Sequence, residues 1–124
     1  MTPVNYQVAL KIDKSIFNEF NQWLTDHIKE MLTLPGFIKA KTMLSHNILS
    51  KDGDDLQNNK MYVDVDDSSK GFIELTVIYK VENLQMMEEY FNVHAAKMRG
   101  DGVKRFGDKF SAERRVNFLN QTFS

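Results

Sequence analysis

Apolar and polar residues alternate along several segments of the chain, which is the period of strands with one buried face. Near the N-terminus the apolar positions are Tyr6, Val8, Leu10 and Ile12. The clearest strand runs from Phe72 to Val81, where both faces carry apolar residues, so we expect it at the centre of a sheet. Two further strands are predicted from Ile38 to about Leu49 and from Phe110 to about Leu119.

Two helices are predicted from apolar residues that recur at steps of three and four. The stripe of the first helix consists of Phe17, Phe20, Leu24, His27 and Met31. The stripe of the second consists of Leu84, Met87, Phe91, His94 and Met98. Because this spacing places each stripe on one helix face, both histidines are expected to point towards a core or an enclosed pocket.

Polar and small residues mark the expected ends of these helices. The expected caps, whose side chains accept backbone N–H groups, are Asp13 or Ser15 for the first helix and Asn83 for the second. The expected stops are Pro35-Gly36 for the first helix and Gly100 with Gly102 for the second. A loop is expected after these two glycines and before the last strand.

The resulting order, β-α-β-β-α-β, is typical of an α+β ferredoxin-like sandwich. In that fold two helices cover one face of a four-stranded antiparallel sheet. The other face would present Phe72, Thr76 and Ile78, which are too apolar to lie open to water. We therefore expect a second copy of the chain to cover this face, giving a homodimer.

Composition limits the classes of function. The 124 residues suit one domain over residues 1–124, and the formal net charge of -1 disfavours nucleic-acid binding. The absence of cysteine excludes disulfides, cysteine-bound zinc, iron–sulfur clusters and thiol nucleophiles, and it fits a cytoplasmic location. Neither a signal peptide nor a membrane span is expected, because no apolar run is long enough.

Residues 50–70 are rich in turn-forming residues and are expected to be an irregular insertion, with one short strand within Met61 to Val65. Asp64, Asp66 and Ser68 have the spacing of a calcium loop, but the glycine and the final glutamate of that loop are missing. Lys70-Gly71-Phe72 resembles the opening of an RNA-recognition motif, yet the base-stacking aromatics that should follow are absent.

The two stripe histidines are the candidates for chemistry, since imidazole titrates near neutral pH. His27 or His94 is either a pocket base, acid or ligand, or a core residue with ordinary hydrogen-bond partners. Trp23 lies four residues before His27, so the two rings share a helix face. A metal shared by both histidines is not expected, because antiparallel helices would hold them about 10 Å apart along the axes and about 8–10 Å across.

Arg114 is expected on an apolar strand face with Phe110, Ala112, Val116 and Phe118. It either orients an anionic substrate by bidentate hydrogen bonds or pairs with an acidic residue across a dimer interface. His46 is expected on a strand or at its end, away from the other two histidines.

Three groups of residues together resemble a small bacterial family known only as domain of unknown function 4286, placed among the dimeric α/β-barrel proteins. The groups are Trp23-Leu24-Thr25-Asp26-His27-Ile28 with Leu32 and Gly36-Phe37; Tyr79, Tyr90-Phe91 and His94-Ala95; and Arg105-Phe106-Gly107-Asp108-Lys109-Phe110 with Arg114-Arg115-Val116. The resemblance implies the ferredoxin-like fold and a dimer whose sheets pack face to face, but no reaction. The chain departs from the family pattern at residues 50–70.

Three functional classes remain open. The leading one is a small-molecule-binding or structural dimer without catalysis and without a cofactor. The second is a cofactor-independent oxygenase or isomerase with a pocket between helices and sheet. In this class His27 or His94 would be the base and Trp23 or Tyr79 would line the wall; it rests on analogy with other proteins of the fold. RNA binding is a distant third.

Overall fold

The computed structural model describes residues 2–45, 47–48, 62–63 and 71–124. Its strands are β1 (Val4–Asp13), β2 (Phe37–Leu44), β3 (Asn47–Ile48), β4 (Tyr62–Val63), β5 (Phe72–Val81) and β6 (Phe110–Phe118). The first helix, α1, spans Phe17–Met31. The second, α2, consists of α-helical Leu84–Glu89, a π-helical segment Tyr90–His94, and α-helical Ala95–Phe106.

Four strands form an antiparallel sheet in the order β2-β5-β1-β6, with both helices on one face, which confirms the ferredoxin-like fold. β5 lies between two neighbours, as the apolar residues on both its faces predict. The strand expected from Ile38 to about Leu49 ends earlier, at Leu44, because Asn47–Ile48 forms β3 in a separate two-stranded sheet with β4. His46 lies outside the described residues, and so does the rest of the insertion expected at residues 50–70, including the calcium-like spacing and Lys70.

Alternate residues of the central strands form the floor of the core. Every second residue of β5 is buried, from Ile73 to Val81. On β1, Tyr6 stands opposite Tyr79 of β5 and Val116 of β6, so all three side chains face the helices. The layer above them is formed by Phe20, Leu24 and Met31 of α1 and by Met87, Tyr90, Met98 and Phe106 of α2.

The expected cap of α2 is confirmed, whereas α1 begins after Ile16, which makes no side-chain cap hydrogen bond. The Asn83 side-chain oxygen accepts a hydrogen bond from the Met86 N–H at 2.9 Å and begins α2. The Asp13 carboxylate accepts from the Ser15 N–H, also at 2.9 Å, and begins the short 3-10 turn that leads into α1. Both interactions satisfy backbone donors that a helix start otherwise leaves free.

The expected stop at Gly100 and Gly102 is wrong, because α2 continues to Phe106 and ends at Gly107, whose φ is +60°. Gly102 has a packing role instead. A Cβ placed there would lie 2.9 Å from the Trp23 indole and 3.2 Å from the Phe110 ring. This glycine therefore lets α2 approach α1, which a sequence pattern alone cannot distinguish from a helix end.

The expected second stripe is only partly correct. The residues of α2 that are buried are Met87, Tyr90, Ala95, Met98, Gly102 and Phe106. The step of five from Tyr90 to Ala95 is the π-helical turn, in which the Ala95 N–H donates to the Tyr90 carbonyl. That extra residue moves the next buried position from His94 to Ala95. Before it, Tyr90 is buried in place of Phe91, and the exposed fractions of Leu84 and Phe91 are 43% and 39%.

Candidate functional site

A cavity of about 50 Å³ lies between the helix layer and the sheet, and we call it the interlayer cavity. Both helices and three strands contribute to its wall. The polar or aromatic lining residues that matter for chemistry are Tyr6, Trp23, His27, Tyr79, Tyr90, Arg99 and Arg114. Met31, Met98 and several aliphatic side chains complete the lining, so most of the surface is apolar and soft.

Trp23 and His27 form one wall of the interlayer cavity as a stacked pair. Their ring centroids are 4.6 Å apart and their planes are inclined by only 20°. One helical turn separates the residues, which is the geometry that brings side chains at i and i+4 into contact. Phe106 meets the indole edge-on with centroids 5.7 Å apart, and this packing fixes the ring against which the imidazole rests.

The ring nitrogens of His27 have no hydrogen-bond partner among the described residues, and the same residues contain no buried side-chain nitrogen or oxygen left unpaired. The nitrogens must therefore be accessible from the cavity or from solvent. A half-buried imidazole with accessible nitrogens can accept or donate a hydrogen bond to a bound molecule.

Burial lowers the pKa of His27 below its usual value of 6.5, because desolvation disfavours the charged ring. Four charged groups act on it from the surrounding elements. Glu30 and Asp101 raise the pKa, while Lys97 and Arg114 lower it. Since Lys97 also pairs with both carboxylates, at 3.2 and 3.5 Å, desolvation dominates and the ring is mainly neutral at pH 7.

Three tyrosines form the sheet side of the interlayer cavity. Tyr6 stacks on Tyr79 with centroids 5.8 Å apart and packs against Tyr90 at 5.6 Å. Burial raises the pKa of both Tyr79 and Tyr90 far above the value of a free phenol. These two hydroxyls therefore stay protonated at any physiological pH and serve as neutral hydrogen-bonding groups.

Two arginines complete the lining. The Arg99 guanidinium lies 5.8 Å above the Phe91 ring, and its Nη2 donates a long hydrogen bond of 3.5 Å to the Tyr6 hydroxyl. Arg114 stands opposite Val8 in the sheet register, on the face that the helices cover. That position separates Arg114 from the open face of the sheet, on which a sheet-to-sheet dimer is expected to form.

The sequence-based candidates separate into two groups. Trp23, His27, Tyr79 and Arg114 come together around the interlayer cavity, whereas His94 lies half-buried at the end of the π-helical segment and is not part of the lining. Sequence reasoning missed Arg99, Tyr6 and Tyr90 as cavity residues. Tyr6 could have been noted as a hydroxyl on a buried strand face, but the place of Arg99 depends on the π-helical turn.

Within the described ranges no group of three His, Cys, Asp or Glu side chains could hold a metal ion. In those same ranges no helix is both long enough and apolar enough to cross a membrane.

Solved structures with the same fold cover almost the whole chain at low identity. A dimeric ferredoxin-like protein from an uncultured marine organism has a TM-score of 0.61 at 8% identity and covers 99% of this chain and 100% of its own. A mutant form of SnoaB, a cofactor-independent oxygenase from Streptomyces nogalater, has a TM-score of 0.60 at 10% identity. It covers 98% of this chain and 97% of its own. A hydroxynitrile lyase from Passiflora edulis has a TM-score of 0.55 at 13% identity and covers 98% of this chain and 97% of its own.

At these identities the likeness shows the fold alone. No curated protein matches the sequence. The family model described as a domain of unknown function, DUF4286, matches residues 4–120, and the chain therefore belongs to that family.

Proposed function

We propose that this protein is a homodimeric, small-molecule-binding α/β-barrel protein whose ligand site is the interlayer cavity. The observation that carries the proposal is the imidazole of His27, neutral and stacked on Trp23, with accessible nitrogens in a largely apolar wall. An apolar cavity with a few converging polar groups is the usual form of a ligand site. A cytoplasmic location, supported by the absence of cysteine, belongs to the same proposal.

The size of the cavity limits the ligand. A volume of about 50 Å³ corresponds to roughly one or two water molecules, so the site accepts only a small group as it stands. A larger ligand requires α1 and α2 to move apart. Met31 and Met98 in the lining make such an adjustment less costly, since methionine changes rotamer easily.

Fluorescence offers a direct test, because Trp23 is the sole tryptophan of the chain and it lines the cavity. We expect members of a library of small organic acids, phenols and ketones to change the Trp23 emission on binding. His27→Gln should weaken those ligands about tenfold, since it removes one ring that contacts them. His94→Gln is the matched control and should bind as the parent chain does.

Two results would contradict the proposed site. One is that no library compound alters the Trp23 emission. The other is that His94→Gln weakens binding as much as His27→Gln, because His94 lies outside the lining.

A second candidate, a cofactor-independent oxygenase or isomerase, is favoured by the lowered pKa of His27, since a neutral imidazole at pH 7 can accept a proton from carbon. The named oxygenase and lyase with this fold support it by analogy only. Compounds that bind would be followed in D2O by proton NMR and in an oxygen electrode. Catalysis predicts exchange or oxygen uptake that His27→Gln abolishes and that declines as the pH falls through the lowered pKa, because a protonated ring accepts no proton.

The homodimer is proposed to form through the face of the sheet that the helices leave open. A broad depression of about 590 Å³ on this face is lined by Lys39, Lys41 and Lys80 together with apolar Ile78 and Leu119. Glu74 and Glu113 stand nearer the opposite end of the strands, by the register of β1 with β5 and β6. A surface that carries Ile78 between a basic end and an acidic end can pair with its own copy about a two-fold axis, because each basic end then meets an acidic end.

We expect a dimer in size-exclusion chromatography with light scattering at tens of micromolar protein. Ile78→Glu should convert it to monomers, because a carboxylate would be buried without a partner at the centre of the interface. Val93→Glu, at a helix position with an exposed fraction of 65%, should remain a dimer. A monomeric parent chain, or an Ile78→Glu variant that stays dimeric, would rule out this interface.

A further inference from the structure

We propose that Arg99 and Arg114 together form a carboxylate-binding site at the entrance of the interlayer cavity, so that the natural ligand is a small organic acid. The inference rests on the proposed ligand-binding function and names the class of ligand. Its carboxylate would lie between the two guanidinium groups, and its body would lie in the cavity against His27 and Trp23.

The first support is convergence from separate elements. Arg99 belongs to α2 and Arg114 to the edge strand β6, yet both line the interlayer cavity. Both also line a surface depression of about 220 Å³, which shares Tyr6 with the cavity. The two spaces therefore meet at the arginines, and a molecule entering from this depression passes both guanidinium groups.

The second support is that neither arginine is paired with a carboxylate. Among the described residues two other cations of α2 have acidic partners: Lys97 pairs with Glu30 and Asp101, and Arg105 pairs with Glu19. Arg115 lines the depression but not the cavity, and it also has no carboxylate partner in these ranges. In the same described ranges Arg99 and Arg114 have no carboxylate partner. Two guanidinium groups beside one cavity repel each other, and an anion bound between them would remove that repulsion.

The third support is the match between donor geometry and ligand. A guanidinium presents parallel N–H donors that fit the two oxygens of a carboxylate, whereas the small cavity and the net charge of -1 give no support to a polyanion. The aromatic and methionine wall beyond the arginines suits an uncharged organic body. A short carboxylic acid therefore fits the site better than inorganic phosphate or a nucleotide.

The test compares acids with their neutral amides on 15N-labelled full-length protein. Acetate, pyruvate and benzoate would be titrated against acetamide, pyruvamide and benzamide at constant ionic strength, with the arginine Nε and Trp23 indole signals followed by NMR. At least one acid is expected to bind ten or more times more tightly than its amide and to shift both arginine signals. Arg99→Gln and Arg114→Gln should each reduce that preference about tenfold.

Arg105→Gln is the matched control, because it removes a guanidinium from α2 that is paired with Glu19 and lies outside the lining. It should bind acids as the parent chain does. Equal binding of acids and amides would overturn the carboxylate site while leaving the small-molecule cavity intact. An equal loss in Arg105→Gln, or phosphate binding as tightly as the best acid, would also overturn it, whereas a Trp23 signal that no probe moves would contradict both proposals.

Discussion

Replacing Phe20 with alanine is expected to lower the free energy of unfolding by about 3–5 kcal/mol. The Phe20 ring is fully buried, with an exposed fraction of 0%, and it contacts three other aromatic rings. Its centroid lies 5.4 Å from Trp23, 5.0 Å from Phe106 and 4.9 Å from Phe110. Truncation loses both the burial of the ring and its contacts, because these neighbours belong to three different elements and cannot all collapse into the space.

Urea denaturation at one fixed protein concentration would measure the loss, since the stability of a dimer depends on concentration. Phe123→Ala is the matched control; with an exposed fraction of 84% it should change stability by less than about 0.5 kcal/mol.

Phe20 also lines the interlayer cavity, so the Phe20→Ala variant should gain room for an apolar guest. Benzene is expected to raise the melting temperature of Phe20→Ala more than that of the parent chain. If Phe20→Ala lowers the free energy of unfolding by less than about 1 kcal/mol, this description of the core is wrong.

Replacing Gly36 with alanine is expected to lower the free energy of unfolding by about 2–5 kcal/mol, from backbone strain and overpacking together. Gly36 has a φ of +84°, a conformation that the Cβ of any other L-residue disfavours. The added Cβ would also lie 2.5 Å from the Met86 Cβ and 2.7 Å from its Cγ. Because the Gly36 carbonyl accepts the Glu82 N–H at 2.8 Å, the turn cannot move away without breaking that hydrogen bond.

Gly100→Ala is expected to have the opposite effect on the free energy of unfolding. A Cβ at this helical position meets no atom within 4 Å, and no positive φ is involved, so alanine should stabilise the protein by about 0.4–1 kcal/mol. Denaturation midpoints of both variants, measured under one set of conditions, would test the pair. A Gly36→Ala variant as stable as the parent chain would show that the turn after α1 is not fixed as described.

The strands β1, β5 and β6 and the helix α1 could be predicted because their patterns depend on local geometry alone, whereas the end of β2 could not. In β5 the alternation of buried and half-buried residues continues without interruption from Phe72 to Val81. In α1 the spacing of Phe20, Leu24 and Met31 follows the helical period, and all three are buried. The same local rule placed Trp23 and His27 on one face, and the structure stacks their rings.

The second helix could not be predicted in full, because its course is set by contacts between distant residues. Tyr90 packs against Phe37 at 5.1 Å and Tyr6 at 5.6 Å between ring centroids, and the π-helical turn at Tyr90–His94 accompanies this position. A π-helical insertion of one residue cannot be recognised from the spacing of apolar residues in the sequence. For the same reason the sequence pattern places His94 beside the cavity and does not place Arg99 there.

The sequence by itself determined the order of elements, the buried face of each strand, the stacked pair of Trp23 and His27, and the absence of cysteine chemistry. Only the tertiary structure decided that Arg99 from α2 and Arg114 from β6 meet at one cavity, and that Gly102 serves close packing of the helices. Periodicity reports which side of an element is apolar, since that follows from fixed backbone geometry. It carries no information on where two elements cross, which depends on side-chain packing across the whole core.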